Sequence, residues 1–172
     1  MSNIYLVGFM GAGKTATGRI VADRLGRVFV DLDETIEARE GRSIREIFTH
    51  QGESVFRDAE TAELEGLTLR TDLVVATGGG AFSSPTNRRM IRRSGGVSVF
   101  LDPPWEAICK RLGGGHGGRP KWIDERHARA LFLQRRSDYL LAEIRIEPGD
   151  GESAAEVADR VWAALAEAMC VS

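Results

Sequence analysis

Long apolar runs, histidine or cysteine clusters and an excess of basic charge are all missing from this sequence, and each absence removes a class of function. No apolar stretch approaches the roughly 18 residues of a membrane-spanning helix, and no signal-peptide pattern is visible. A membrane partner is therefore not expected, and a cytoplasmic location is. The net charge of −2 argues against a nucleic-acid partner held by a basic surface. The densest positive cluster, Arg88, Arg89, Arg92 and Arg93, reads as the solvated face of a short helix. The two cysteines, Cys109 and Cys170, lie far apart and match no metal or redox spacing. Cys109 falls on an apolar helical stripe, which suggests a buried thiol in a reducing compartment. His50, His116 and His127 form no ligand pattern. There is no internal repeat and no interdomain linker.

What is present fits a single domain. The 172 residues are enough to bury a proper core, and 42% hydrophobic with 28% charged residues is ordinary for a globular chain. The most informative stretch is Gly8-Phe9-Met10-Gly11-Ala12-Gly13-Lys14-Thr15, a glycine, four residues, then Gly-Lys-Thr. The short apolar run Ile4 to Val7 leads into it and a helical pattern leaves it. Glycines let the backbone bend so that several N–H groups converge on phosphate oxygens. A helix starting near Lys14 aims its positive end at the same anion. Gly11, Ala12, Gly13, Lys14, Thr15 and Ala16 are thus expected to hold the phosphates of ATP or GTP. Lys14 suits the outer phosphates and the Thr15 hydroxyl suits Mg²⁺.

Further along, Thr17, Ile20, Val21 and Leu25 repeat at helical spacing, with Gly26 as a stop. Val28 to Val30 is a second apolar run, ending in Asp31-Leu32-Asp33. Ser43-Ile44-Arg45-Glu46 has the capping-box pattern and starts a helix lined by Ile44, Ile47 and Phe48. Gly52 interrupts that helix before Val55, Phe56 and Ala59 resume it. Leu73 to Ala76 is a third strand, stopped by Thr77-Gly78-Gly79-Gly80. Ser84-Pro85 opens a helix that Gly95-Gly96 closes. Val97 to Leu101 is a fourth strand, and Trp105, Ile108, Cys109 and Leu112 mark the next helix. Residues 113–118 are Gly-Gly-Gly-His-Gly-Gly and precede Arg119-Pro120. A helix over about 125–142, a weak strand Ile144 to Ile146, and a helix capped at Ser153 and carrying Val157, Val161, Leu165 and Met169 complete the chain. Trp105 and Trp162 read as packing residues. Apolar runs alternating with amphipathic helices indicate a parallel sheet covered on both faces, with ligands at the carboxyl ends of its strands. The phosphate loop, Asp31-Leu32-Asp33 and the triple glycine should share one cleft.

Several residues there can support phosphoryl transfer, each with a plainer alternative. Asp31 and Asp33, two apart and pointing the same way if extended, can divide metal and proton-acceptor roles, or both can simply cap the next helix. Arg57 stands three residues before Glu60, which also describes a surface ion pair. Gly78, Gly79 and Gly80 can expose backbone to a ligand or make a tight turn. Arg119 behind its glycine run suits a closing lid, or an ordinary surface loop.

Together these residues resemble the shikimate kinases, P-loop kinases of aromatic amino-acid biosynthesis. The resemblance runs from about Asn3 to Met169. It rests on the phosphate loop with Gly18, Asp31-Leu32-Asp33 with Ile36-Glu37, Gly52-Glu53 with Phe56-Arg57 and Glu60, Thr77-Gly78-Gly79-Gly80-Ala81, and Arg119-Pro120. It implies a three-layer α/β/α sandwich with a five-stranded parallel sheet. A substrate-binding region over about 33–62 and a lid over about 113–125 belong to it. It also implies transfer of the γ-phosphate of ATP to the 3-hydroxyl of shikimate, with one Mg²⁺ and a monomeric enzyme. By the same resemblance Thr15 and Asp31 lie at the metal and Asp33 is the base. Arg57 and a late arginine clamp the carboxylate, and Gly79 and Gly80, with Gly78, contact the acceptor. Arg119 is the lid cation and Arg111 packs on adenine.

The chain departs from the family late. Where the family has Arg-x-Pro-Leu-Tyr after the lid, this chain reads Arg135-Arg136-Ser137-Asp138-Tyr139, so spacing to Tyr139 selects Arg135 while Arg136 competes. After Arg119-Pro120 an apolar pair gives way to Lys121-Trp122. These departures keep two other readings open. One is a related kinase for another small polyol acid such as gluconate, and the other is a catalytically silent nucleotide-binding regulator.

Overall fold

The computed structural model describes residues 2–112 and 125–170. Five strands form one sheet, β1 (Ile4–Val7), β2 (Val28–Asp31), β3 (Leu73–Ala76), β4 (Val97–Leu101) and β5 (Ile144–Ile146). They run in the order β2-β3-β1-β4-β5, every pair parallel. The helices are α1 (Lys14–Leu25), α2 (Leu32–Glu40), α3 (Ile44–Thr68), α4 (Pro85–Arg93), α5 (Trp105–Leu112), α6 (Glu125–Tyr139) and α7 (Ala154–Cys170), with a 3₁₀ turn at Ala81–Ser83.

Period-two alternation divides each inner strand between two cores. Tyr5, Val7, Leu73, Val75 and Phe100 pack with side chains of α2 to α6. Ile4, Leu6, Val74, Val99 and Leu101 pack with Val21 and Ala22 of α1 and with Val157, Val161 and Leu165 of α7. This makes a three-layer sandwich of helices, sheet and helices, as the alternating pattern implies. The central strands are buried throughout, and register at their carboxyl ends is set by Leu6, opposite both Ala76 and Val99. That register puts the segments following β1, β3 and β4 side by side. No helix among the described residues is long and apolar enough to cross a membrane.

Some expectations need correction. Asp31 and Asp33 are not both on an extended segment. Asp31 ends β2 and caps α2, accepting from the Asp33 and Glu34 N–H groups, so Asp33 lies in a helical first turn. Val55 is 42% exposed, because the inward face of α3 is Phe56, Glu60, Leu64 and Leu67 and Val55 falls on the far side. Trp162 is 50% exposed at the margin of the stripe formed by Val157, Ala158, Val161 and Leu165, whereas Trp105 is packed as expected. Cys109 is half-buried rather than buried. Helix α6 ends at Tyr139, and the segment to Ala142 is a turn closed by bonds such as Ala142 N–H to the Tyr139 carbonyl. Residues 113–124, including the glycine run, Arg119-Pro120 and Lys121-Trp122, lie outside the described residues.

Close packing of α1 on the sheet depends on Gly18. A Cβ there would stand 2.6 Å from the Phe29 ring and 3.0 Å from Leu6. Alanine is the better helix former by about 1 kcal/mol, yet overpacking costs about 1–3 kcal/mol. Gly18→Ala should therefore lower the unfolding free energy by up to about 2 kcal/mol in urea titration. A gain in stability would contradict this packing.

Candidate active site

The phosphate loop is built by backbone that other residues cannot supply. Gly8 has φ of 141°, and a Cβ on it would lie 2.6 Å from the Leu101 carbonyl oxygen. Gly11 and Gly13 also have positive φ, and no side chain caps α1 at Gly13. The helix start thus faces a cleft of about 290 Å³ lined by Gly11, Gly13, Lys14, Thr15, Ala16 and Arg111, among others. Lys14 is nearly buried and its Nζ donates to the Gly8 and Phe9 carbonyls, both at 2.9 Å. Ala12 has a different place. Its methyl sits in the α1–α7 core and its N–H donates to the Phe9 carbonyl, so it shapes the loop from behind. Arg111, at the end of α5, donates to the Gly11 carbonyl at 3.1 Å, which sets its guanidinium at the cleft's rim.

Across the cleft stand the acids that follow β2. The Thr15 hydroxyl donates to Asp31 Oδ2 at 2.7 Å, while Oδ1 accepts from the Asp33 N–H. Of the two acids, Asp31 is the one that caps the next helix. It is a helix cap and also a carboxylate at the phosphate loop. Asp33 lines the same cleft, as does Thr77 at the end of β3, whose hydroxyl donates to the Leu6 carbonyl. Among the described residues no group of three or more His, Cys, Asp or Glu side chains could hold a metal by itself.

The triple glycine is where the second half of the site forms. A Cβ on Gly78 would lie 2.6 Å from both Asp33 Oδ1 and Glu60 Oε1, so the two carboxylates close over that residue. A Cβ on Gly80 would collide with the guanidinium of Arg57, 2.6 Å from its Cζ. Arg57 Nη1 in turn donates to Glu60 Oε2 at 2.7 Å. The Gly79 carbonyl accepts from Arg135 Nη1 at 2.9 Å and from the Tyr139 hydroxyl. Arg57, Glu60, Gly80 and Arg135 line a second hollow of about 580 Å³. Asp33 lines the first hollow and Arg57 the second, and Glu60 stands between them, its Oε1 beside Asp33 at Gly78 and its Oε2 on Arg57.

Arg135 and Arg136 face different parts of the structure. Arg135 is 8% exposed and faces Gly79, whereas Arg136 turns to Asp102. Glu60 is the residue that sequence reading undervalued. Its spacing from Arg57 describes a solvent-exposed pair equally well, but Glu60 is 1% exposed and its Oε1 has no hydrogen-bond partner among the described residues. Burial raises its pKa, Asp33 adds to the rise, and Arg57 opposes it. Burial likewise raises Tyr139, which keeps its proton and its role as donor. Arg119, expected as a lid cation, lies outside the described residues.

The raised Glu60 pKa has a signed consequence. Above the ordinary carboxylate value of 4.5 and below the higher native value, the folded chain holds more proton than the unfolded one. Its contribution to the unfolding free energy therefore falls as pH rises through that window. Relative to Glu60→Gln, the wild type should lose stability in urea titrations as pH rises above the ordinary carboxylate value of 4.5. A difference that stays constant or grows in favour of the wild type would show that Glu60 is not held above its ordinary value.

Known proteins are similar to this chain over most of its length. The family model for shikimate kinase matches residues 10–166. A shikimate kinase from Persephonella marina is 38% identical over 161 residues, spanning 94% of this chain and 97% of that protein. The structure of a shikimate kinase from Acinetobacter baumannii, in complex with shikimate, superposes with a TM-score of 0.91 at 38% identity, covering 97% of this chain and 94% of the other. A gluconokinase from Sinorhizobium meliloti has a TM-score of 0.60 at 20% identity over 96% and 92% of the chains, a likeness of fold alone. With a family model covering most of its length, the chain belongs to the shikimate kinase family.

Proposed function

We propose that this chain transfers the γ-phosphoryl group of ATP to the 3-hydroxyl of shikimate, a step of aromatic amino-acid biosynthesis. The family makes it an ATP-dependent kinase acting on an alcohol. One observation carries the acceptor assignment: a carboxylate, Asp33, and two guanidiniums, Arg57 and Arg135, converge on Gly78–Gly80 beside the phosphate loop. A small carboxylate with several hydroxyls needs a cationic fork at one end and a proton acceptor at the other.

In this reading Gly11 to Ala16 hold the phosphates, with Lys14 supplying the fixed charge. Arg111 lies against the adenine, and Arg119 is the cation brought over the transferring group. Arg57 and Arg135 grip the acceptor carboxylate while the Gly79 and Gly80 backbone contacts its ring. Asp33 Oδ accepts the hydroxyl proton as that oxygen bonds to phosphorus and ADP departs. Thr15 and Asp31, hydroxyl to carboxylate at 2.7 Å, fit Mg²⁺, an ion that takes few protein oxygens and keeps several waters. When bound it would neutralise charge on the phosphate oxygens. The chain is read as a single domain, with 33–62 as the acceptor region and 113–125 as the lid, acting as a cytoplasmic monomer.

The two other readings have less support. The gluconokinase likeness is one of fold, and a silent regulator would have no use for Arg57, Glu60 and Arg135 gathered around Asp33. ADP release measured with Mg²⁺, ATP and a panel of acceptors tests the proposal. Shikimate should support turnover well above gluconate. Release that ignores shikimate, or prefers another acid, would defeat it. Asp33→Asn should lower kcat by about 10²–10⁴-fold while calorimetric ATP affinity stays within about twofold. An unchanged kcat would remove Asp33 from the role of base.

A further inference from the structure

The carboxyl end of β4 holds an ion cluster that the reaction scheme above does not use. Asp102 follows Leu101, and its N–H extends the β4–β5 ladder by donating to the Ile146 carbonyl at 2.9 Å. Its side chain is 4% exposed. Arg136 of α6 binds it with two nitrogens, Nε to Oδ1 at 3.1 Å and Nη2 to Oδ2 at 2.8 Å. Arg145 of β5 meets Oδ2 from the sheet side at 3.0 Å and 2.7 Å.

Helical periodicity gives this cluster a consequence. Arg135 and Tyr139, four apart, form one stripe that ends on the Gly79 carbonyl. Arg136 lies about 100° to one side of Arg135, and Asp138 about 60° to the other. Asp138 meets Arg88 of α4 at 3.5 Å. The acceptor-facing stripe is thus flanked on both sides by ion pairs to different elements. The one on Asp102 is bidentate, with its carboxylate buried and fixed to the sheet.

We infer that Asp102, acting through Arg136, is a positioning residue for the acceptor: the pair sets the rotation of α6 at which Arg135 faces the acceptor carboxylate. This rests on the reading of Arg135 as a carboxylate-binding cation. A rotation of about 25° moves the root of a helical side chain by roughly 1 Å, and misplacements of that size can cost up to about 10²-fold in an aligned site. The bidentate fork resists such a rotation where a single contact would not. Although Phe9 packs on Phe132 of α6, the phosphate-holding Lys14 and Thr15 are tied to the Gly8 and Phe9 carbonyls and to Asp31, so the effect should fall chiefly on the acceptor.

Steady-state kinetics on the full chain with ATP, Mg²⁺ and shikimate separates positioning from gluing. Arg136→Met should raise the shikimate KM by about tenfold, leave the ATP KM within about twofold, and be partly rescued by Arg136→Lys. Arg145→Met removes the other partner of the same carboxylate without touching α6. It should lower Tm and leave the shikimate KM near wild type. If Arg136→Met and Arg145→Met shift the shikimate KM alike, or neither shifts it while Arg135→Lys raises it, the pair only stabilises the fold and the inference fails. Should Arg135→Lys itself leave that KM unchanged, the underlying assignment of Arg135 fails and takes the inference with it.

Discussion

A carboxylate buried to 1% exposure cannot remain charged without a cation, and at Glu60 that requirement organises the acceptor side of the molecule. Arg57 meets it at 2.7 Å, and the same contact holds the Arg57 guanidinium over Gly80. Glu60 is the buried member, so losing Arg57 strands its carboxylate, a cost of about 3–5 kcal/mol for buried pairs, whereas Arg57 is 28% exposed and keeps Glu53 if Glu60 is lost. Glu60 also presses against Asp33 across Gly78, and that like charge raises its pKa further. The acceptor pocket therefore contains opposed demands. Arg57 is needed by Glu60 and, in the proposed reaction, by the substrate carboxylate as well. A guanidinium has five donors, so one edge can serve the protein while another remains directed at a ligand.

The triple glycine is what allows these groups to approach so closely. Side chains at 78 or 80 would occupy the positions of Glu60 Oε1, Asp33 Oδ1 or the Arg57 guanidinium. The middle carbonyl then serves as a common acceptor for Arg135 and Tyr139. Parallel register at Leu6, Ala76 and Val99 brings this turn beside the phosphate loop, and Gly79 lies against Met10 and Gly8. Phe9 continues the connection, stacking edge-on against Phe132 of α6 at 5.5 Å and near Trp105 of α5 at 6.3 Å. Nucleotide loop, acceptor turn and the helix bearing Arg135 are thereby one packed unit.

Much of this was legible in the chain because buried parallel strands write themselves as short apolar runs. β3, β4 and β5 begin and end at the residues their runs predict. The phosphate loop is legible for another reason, since its chemistry demands a fixed glycine spacing. The losses have physical causes too. Helix α2 was hidden because Asp-Leu-Asp reads as extended until its first carboxylate is seen capping the next turn. Burial of Glu60 involves Gly78, in the turn after β3, so local spacing to Arg57 could not distinguish a core pair from a surface one. Arg136 looked like a rival to Arg135 because its partner Asp102 is 34 residues away in sequence.

That last ambiguity bears on how a site tolerates change in its framework. The family pattern places Pro and Leu between the arginine and tyrosine of the helix after the lid, and a proline restricts backbone whatever surrounds it. Here Ser137 and Asp138 occupy those positions, and the helix runs through them unbroken to Tyr139. Constraint on this segment has moved from the backbone to its flanks, onto Arg136–Asp102 and Asp138–Arg88. The two solutions differ in kind. Proline acts partly by narrowing the unfolded ensemble, whereas ion pairs act only once the helix has docked. In this chain the geometry of the acceptor arm therefore depends on tertiary assembly, and the sheet edge that shapes the phosphate loop also aligns the group opposite it.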